Sequence, residues 1–254
     1  MVHFIGAGPG APDLITVRGQ KLLEQADVVI YAGSLVNPEL LLVCRGDCEV
    51  YNSAQMTLEE VLGVMSQADQ AGKDIVRLHT GDPSLYGAIR EQMDGLDELG
   101  IAYEVCPGVS AFSGAASAMN LEYTLPWVSQ TVIISRMAGR TPVPERESIR
   151  ELARHQSTMV LFLSAGMLPD LTSELIAGGY APDTPSAIIY KATWPDEKQI
   201  RCPLDQLADR AAEAGIDHLA LVIVGKVLDG EYARSRLYDP AFTTAFRKGK
   251  KCKQ

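Results

Sequence analysis

Short apolar runs, each halted by a glycine- or proline-bearing break, constrain this chain more than any other feature. Val2–Ala7 stops at Gly8-Pro9-Gly10, Asp74–His79 at Thr80-Gly81-Asp82-Pro83, and Ile101–Cys106 at Pro107-Gly108. Runs of this length bounded by turn residues read as buried strands. Asp27–Tyr31 and Glu49–Tyr51 add two more, and helical stretches lie between them. Thr16 or Asp13 caps a helix through Leu22, Leu23 and Ala26. Thr57 with Glu60 forms a capping box ahead of a helix to about Ala71. Ser84–Leu99 reads as a helix ended by Gly100, and Ser110–Met119 as a helix of small residues.

The pattern then restarts. Strands are expected at Thr131–Ile134, Met159–Leu163, Ala187–Tyr190 and Leu219–Val224. Helices are expected at Glu145–His155, Leu168–Ala177 and Leu204–Ala214. Strand and helix in alternation predict α/β architecture with mainly parallel sheets. Two blocks meeting near Asn120–Trp127 predict two domains, residues 1–120 and 121–254, a division that suits a chain of 254 residues. Aromatic residues make up only 6%, which leans away from an aromatic-rich sandwich.

Charge narrows the function. The formal net charge is −9, whereas a nucleic-acid binder ordinarily presents a basic face. The only basic run is terminal (Arg247, Lys248, Lys250, Lys251, Lys253) and reads as a solvated tail. The five cysteines (Cys44, Cys48, Cys106, Cys202, Cys252) match no zinc spacing and read as reduced thiols. No apolar stretch reaches the ~18 residues that span a bilayer, and no leader pattern opens the chain. A cytoplasmic protein with no nucleic-acid, membrane or metal partner is expected.

Gly6-Ala-Gly8-Pro9-Gly10-Ala11 formally satisfies a dinucleotide-binding fingerprint. Pro12 and a cap at Asp13 or Thr16 delay the helix, which displaces its N-terminus from a pyrophosphate. The second strand ends at Tyr31-Ala32 with no acid for a ribose. Glycines for a tight turn account for much of the motif, and a closely approaching ligand remains an alternative. Thr80-Gly81-Asp82-Pro83-Ser84 reads equally as a turn or as a ligand loop in which Asp82 accepts hydrogen bonds. Pro107-Gly-Val-Ser-Ala111 reads as a loop with Ser110 capping a helix, or as a third ligand loop. Three such loops at strand ends of one sheet would converge on one edge, where α/β proteins place nucleotide-like ligands. Arg136 and Arg140 flank Gly139 in a proline-limited loop and could pair with substrate carboxylates. Among His3, His79, His155 and His218, only His79 adjoins a candidate loop. No nucleophilic triad follows from spacing, and no catalytic residue is assigned.

These loops, in this order, resemble the tetrapyrrole methylase family. The likeness runs from Phe4 to about Lys226. It includes Gly6–Gly10 with Leu14-Ile-Thr16, Arg18-Gly19 and Ala26–Val29; Gly81-Asp82-Pro83; Pro107–Ser110; Thr158–Ser164; and Thr184–Thr193. Tyr31–Val36, Leu78–Gly87, Val128–Val132 and Gly139–Glu145 are most similar to members that methylate carbon 11 of precorrin-4, with or without cobalt. The resemblance implies two α/β domains with S-adenosyl-L-methionine in the cleft between them, and a homodimer. It implies donor contacts at Pro9, Thr80, Gly81, Asp82, Leu85, Ser110, Ala111, Leu163 and Ala192. Many relatives carry Thr at the position of Ser110 and Met at that of Leu163. Relatives acting on uroporphyrinogen place Asp after the tyrosine where this chain has Ala32, which argues against that substrate and leaves the proton acceptor unassigned. His79, Arg136 and Arg140 stand as substrate-side candidates. Another precorrin methylase of the family is the first alternative, and a nicotinamide-dependent oxidoreductase a more distant one.

Overall fold

A computed structural model of the chain describes residues 1–250. Lys251, Cys252 and Lys253 of the basic tail lie outside the described residues. The chain divides into two compact units, Met1–Ala118 with Lys191–Lys198, and Met119–Tyr190 with Gln199–Gln254.

The first unit is built on strands β1 (Val2–Gly6), β2 (Val28–Tyr31), β3 (Glu49–Asn52), β4 (Ile75–His79) and β5 (Tyr103–Cys106). They form one sheet in the order β3-β2-β4-β1-β5, and every pairing is parallel. A parallel sheet is covered on both faces, so its strands read as continuous apolar runs. Val28 and Ile30 join a core with Val61, Met65 and Leu96, from helices α2 (Leu58–Gln70) and α3 (Arg90–Leu99). Val29 faces the other way, into a core with Leu23 of α1 (Val17–Gln25), Val36 and Leu40.

The helix ends follow their sequence signals. Thr16 caps α1 by accepting from Gly19 N. Thr57 and Glu60 form both arms of the capping box on α2. Gly100 ends α3 at φ +67°. The start of α3 departs from expectation: residues 84–89 are not helical, because Tyr86 (φ +56°) and Ala88 (φ +50°) turn the chain left-handed. The small-residue helix is α4 (Ala111–Ala118).

The second unit holds β6 (Val132–Arg136), β7 (Thr158–Phe162), β8 (Pro185–Tyr190), β9 (Lys198–Pro203) and β10 (Ala220–Val224), in the order β6-β7-β10-β8-β9. This sheet is mixed. β6 and β7 are parallel, whereas β10 runs antiparallel to both β7 and β8. Helices α5 (Ile149–Ala153), α6 (Leu168–Ala177) and α7 (Leu207–Glu213) supply Ile149, Leu171, Leu175 and Leu207 to its core. No helix among the described residues is long and apolar enough to cross a membrane.

Candidate functional site

Strand register brings the three glycine-bearing loops together. Gly6 lies beside His79 and Ile5 beside Cys106, so β1, β4 and β5 end at the same edge. The loops are then stitched to one another. Ala7 N donates to His79 O at 2.7 Å, Gly8 N to Gly81 O at 3.2 Å, and Gly81 N to Gly8 O at 2.8 Å. Asp82 joins the second loop to the third, its Oδ2 accepting from Gly108 N at 2.8 Å. Its Oδ1 accepts from Ser84 N at 2.9 Å and also from the Ser84 hydroxyl. Partial burial opposes ionisation of Asp82, but the bonds from Ser84 and Gly108 outweigh it and hold the carboxyl below its ordinary range.

The glycines themselves are mostly explained by this stitching. A Cβ on Gly6 would sit 2.5 Å from Gly108 Cα and 2.5 Å from Gly81 O, and one on Gly108 would sit 2.1 Å from Gly81 O. Backbone packs on backbone here, so these positions exclude side chains whether or not a ligand is present.

A fourth segment completes the cluster. The connection Lys191–Lys198, between β8 and β9, belongs to the first unit. Ala11 N donates to Thr193 Oγ1 at 3.0 Å, and Trp194 Nε1 donates to Pro9 O at 3.2 Å. Gly10 lies under the indole, where a Cβ would meet Trp194 Cδ1 at 2.1 Å. The buried Asn37 donates from Nδ2 to Gly10 O at 3.0 Å.

Eight of the family-implied donor contacts fall in this unit: Pro9, Thr80, Gly81, Asp82, Leu85, Ser110, Ala111 and Ala192. Pro9, Gly81, Ser110 and Ala192 are buried; Thr80, Asp82, Leu85 and Ala111 are half-buried. Ala111 opens α4 and lies close to Gly81, whose Cβ would be 3.2 Å from Ala111 N. Leu163 lies in the second unit, directly after β7. It is 66% exposed at φ +52°, a strained conformation for a large side chain and of a kind that clusters at ligand sites.

The substrate-side candidates separate. His79 is 4% exposed and stacked on Phe4, and its Nε2 has no hydrogen-bond partner. Burial, with the positive Arg77 nearby, pushes its pKa down to about 3. A histidine of that kind stays neutral and holds an accepted proton poorly, so the geometry does not favour His79 as a base. Arg136 is occupied in its own loop. Its Nη1 donates to Met137 O and Thr141 O at 3.1 Å each, and its Nη2 to Pro142 O at 3.0 Å. Arg140 is exposed. Both arginines belong to the second unit.

Asn37, Thr193 and Trp194 escaped the sequence reading. A tryptophan in the polar break Thr193-Trp194-Pro195-Asp196, directly after a strand, was the available signal.

Loops 7–11, 80–85 and 107–111 contain no lysine or arginine, and Asp82 is their one ionisable group. That composition offers a phosphate no guanidinium or ammonium partner and sets an anionic Asp82 beside it. It suits a neutral or cationic ligand held by backbone and small side chains. Among the described residues no cluster of His, Cys, Asp and Glu could hold a metal ion.

Comparison with known proteins identifies the family. The model of the Tetrapyrrole (Corrin/Porphyrin) Methylases matches residues 1–208. The chain is 53% identical over 251 residues to the cobalt-precorrin-4 C(11)-methyltransferase of Methanocaldococcus jannaschii, covering 98% of this chain and 97% of that one. It is 46% identical over 249 residues to the precorrin-4 C(11)-methyltransferase of Pseudomonas aeruginosa, covering 98% and 99%. The crystal structure of a cobalamin biosynthetic enzyme, cobalt precorrin-4 methyltransferase, matches with a TM-score of 0.88 at 48% identity, over 90% of this chain and 95% of that one. Uroporphyrin-III C-methyl transferase from Thermus thermophilus, complexed with S-adenosylhomocysteine, matches with a TM-score of 0.75 at 28% identity, over 90% and 98%. With most of its length matched by the family model and nearly all of it by such relatives, this chain belongs to the tetrapyrrole (corrin/porphyrin) methylases.

Proposed function

We propose that the chain transfers a methyl group from S-adenosyl-L-methionine to carbon 11 of precorrin-4, or of its cobalt-bearing counterpart, in corrin synthesis. The observation that carries this reading is near-complete alignment, at 46–53% identity, with relatives named for that one transfer. The relatives divide between the cobalt and metal-free names, so both substrates belong to the proposal.

The residues present fit the donor. It carries a sulfonium cation, an adenosine and a small zwitterion, with no phosphate. Three loops without a basic side chain, beside the ionised Asp82, give a local potential that favours a cation over an anion. Pro9, Gly81, Ser110, Ala111 and Ala192 would hold it, largely through backbone and small side chains. When bound, the donor supplies an electrophilic methyl group on positive sulfur.

The protein's part is orientation and exclusion of water. The stitched loops 8–11, 80–85 and 107–111 form a pre-organised frame, so little ordering remains to be done on binding. In-line transfer from a cation to an electron-rich carbon disperses charge, and a low-dielectric surround helps it. Asp82 acts here as a staple, with three hydrogen bonds from protein donors already on its carboxylate. Arg140 is the candidate for a carboxylate of the macrocycle, and Arg136 shapes the loop that carries it. The active form is taken to be a homodimer, as the family likeness implies, and light scattering would then give twice the 27.5 kDa chain mass.

The test is anaerobic incubation of the purified chain with labelled donor and either precorrin-4 or cobalt-precorrin-4. Label is expected on carbon 11. Methylation of a different precorrin, with none of precorrin-4 in either form, would move the chain to a sister activity.

A further inference from the structure

We propose that Thr193 and Trp194 are positioning residues for the methyl donor: as a strap, they hold the Pro9–Ala11 loop in its donor-binding shape. The proposal rests on the donor reading above and extends it to residues outside the implied contact set.

Successive residues of the loop are each fixed by a different partner. Pro9 O accepts from Trp194 Nε1, Gly10 O from Asn37 Nδ2, and Ala11 N donates to Thr193 Oγ1. Two of these three bonds come from the strap. Shape adds to them. The indole covers Gly10 so closely that no side chain fits there, and Gly114 of α4 packs on Pro9 and Thr193, its Cβ position lying 2.5 Å from Pro9 Cβ and 3.6 Å from Thr193 Cγ2. Loop, strap and α4 therefore form one packed block.

The strap is itself strained. Lys191 has φ +46° and Thr193 φ +71°, on either side of Ala192. A β-branched residue in the left-handed region is an outlier that persists only when its surroundings over-determine it. They do so here. Thr193 N donates to Glu197 Oε2 at 2.6 Å, Lys191 Nζ to Asp196 Oδ2 at 2.7 Å, and the same ammonium lies 5.2 Å from the centre of the Trp194 ring. A turn that only connected two strands would relax to ordinary backbone angles. This one is locked in the shape that presents Ala192 beside the first glycine loop, with Ala192 O 2.9 Å from the Cβ position of Gly10.

The experiment is calorimetric titration of S-adenosylhomocysteine into the parent chain and into Thr193→Val, Thr193→Ser and Trp194→Phe. Steady-state kinetics with precorrin-4 are run beside it. Thr193→Val keeps the branched shape and loses the acceptor; Thr193→Ser keeps the acceptor. Trp194→Phe keeps an aromatic cover and loses the donor. Loss of one such bond predicts a donor affinity about three- to tenfold weaker in Thr193→Val and in Trp194→Phe. The donor KM should rise to match, with kcat held within about twofold and the macrocycle KM unmoved. Thr193→Ser should bind like the parent. A merely structural role would lower thermal stability without this KM-against-kcat split. If Thr193→Val and Trp194→Phe bind S-adenosylhomocysteine within about twofold of the parent, the strap proposal is overturned and the donor reading stands. If the parent binds no S-adenosylhomocysteine, the donor reading falls and takes the proposal with it. Should Trp194→Phe fail to fold, the Thr193→Val and Thr193→Ser pair decides alone.

Discussion

The carboxylate of Asp82 spans from its own loop to the backbone of Gly108, accepting the Gly108 N–H at 2.8 Å while its other oxygen takes the Ser84 N–H at 2.9 Å. One side chain thus ties the loop after β4 to the loop after β5. Asp82→Asn would turn an amide N–H₂ toward one of these donors. Loss of a charge-assisted bond, with a donor left facing a donor, predicts about 1–2 kcal/mol of destabilisation, which a thermal melt would show. The pH effect has a fixed sign. The folded-state pKa is lowered, so the contribution is complete above the unfolded carboxylate pKa. It is lost as pH falls through the folded value. The parent should therefore lose stability toward acid more steeply than Asp82→Asn. Equal acid sensitivity of the two would mean that the staple contributes nothing.

Glycines in this chain divide into those that can bear a methyl group and those that cannot. Gly108→Ala would place Cβ 2.1 Å from Gly81 O, and backbone would have to move. The expected cost is about 3 kcal/mol or more, seen as loss of soluble protein or a sharply lowered Tm. Gly63 lies within α2 with nothing inside 4 Å of its Cβ position. Gly63→Ala should therefore stabilise by about 0.5–1 kcal/mol through helix propensity alone. If both variants melt like the parent, the close approach of the three loops is wrong.

That contrast shows what could be read from the residues. The glycine loops were legible as loops at strand ends, because apolar runs and turn residues mark them. Their purpose was less legible: turn and ligand readings both stood open at Gly6, Gly81 and Gly108, and the structure shows much of the space at each taken by one another's backbone. The all-parallel first sheet was plain from runs such as Val28-Val29-Ile30, apolar on both faces. The mixed second sheet was not. β10, Ala-Leu-Val-Ile-Val, is as apolar as a buried parallel strand yet runs antiparallel to β7 and β8, and the edge strand β9, Lys-Gln-Ile-Arg-Cys-Pro, half exposed, lacks an apolar run. Two left-handed residues in 84–89 delay α3, and no simple propensity marks Tyr86 or Ala88 for that role. The strap carried one signal, its tryptophan, but its role was hidden for a different reason. Its contacts join residues such as Thr193 and Ala11, far apart along the chain, and no local pattern encodes them.

His79 makes a second pH prediction of distinct form. Burial holds its folded pKa near 3, against about 6.5 for an exposed histidine. Between these values the unfolded chain binds one proton that the folded chain does not. Stability should fall as pH drops below about 6.5, by up to about 1.4 kcal/mol per pH unit from this group. His79→Phe, which keeps a ring against Phe4, should flatten that slope. The same variant should leave the limbs of the kcat profile between pH 5 and 8 in place, since a neutral buried imidazole supplies neither. A lost limb would return His79 to the list of bases.

The last prediction separates two arginines that are close in sequence and different in employment. Arg136 spends its guanidinium on the carbonyls of Met137, Thr141 and Pro142. Arg136→Ala should therefore loosen residues 137–142, and limited proteolysis should cut there faster. Arg136→Lys loses the rigid planar fork that places donors on two separate nitrogens, and should behave like the alanine variant. Arg140 is exposed on the loop that Arg136 shapes, free of any such duty to its own backbone. If it receives a macrocycle carboxylate, Arg140→Ala should raise the macrocycle KM about tenfold, the worth of one charge-assisted bond. S-adenosylhomocysteine affinity should not change, because the donor reading assigns Arg140 no contact with the donor. A macrocycle KM within twofold of the parent would make Arg140 an ordinary solvated side chain. The carboxylates would then have to be held by groups other than this loop.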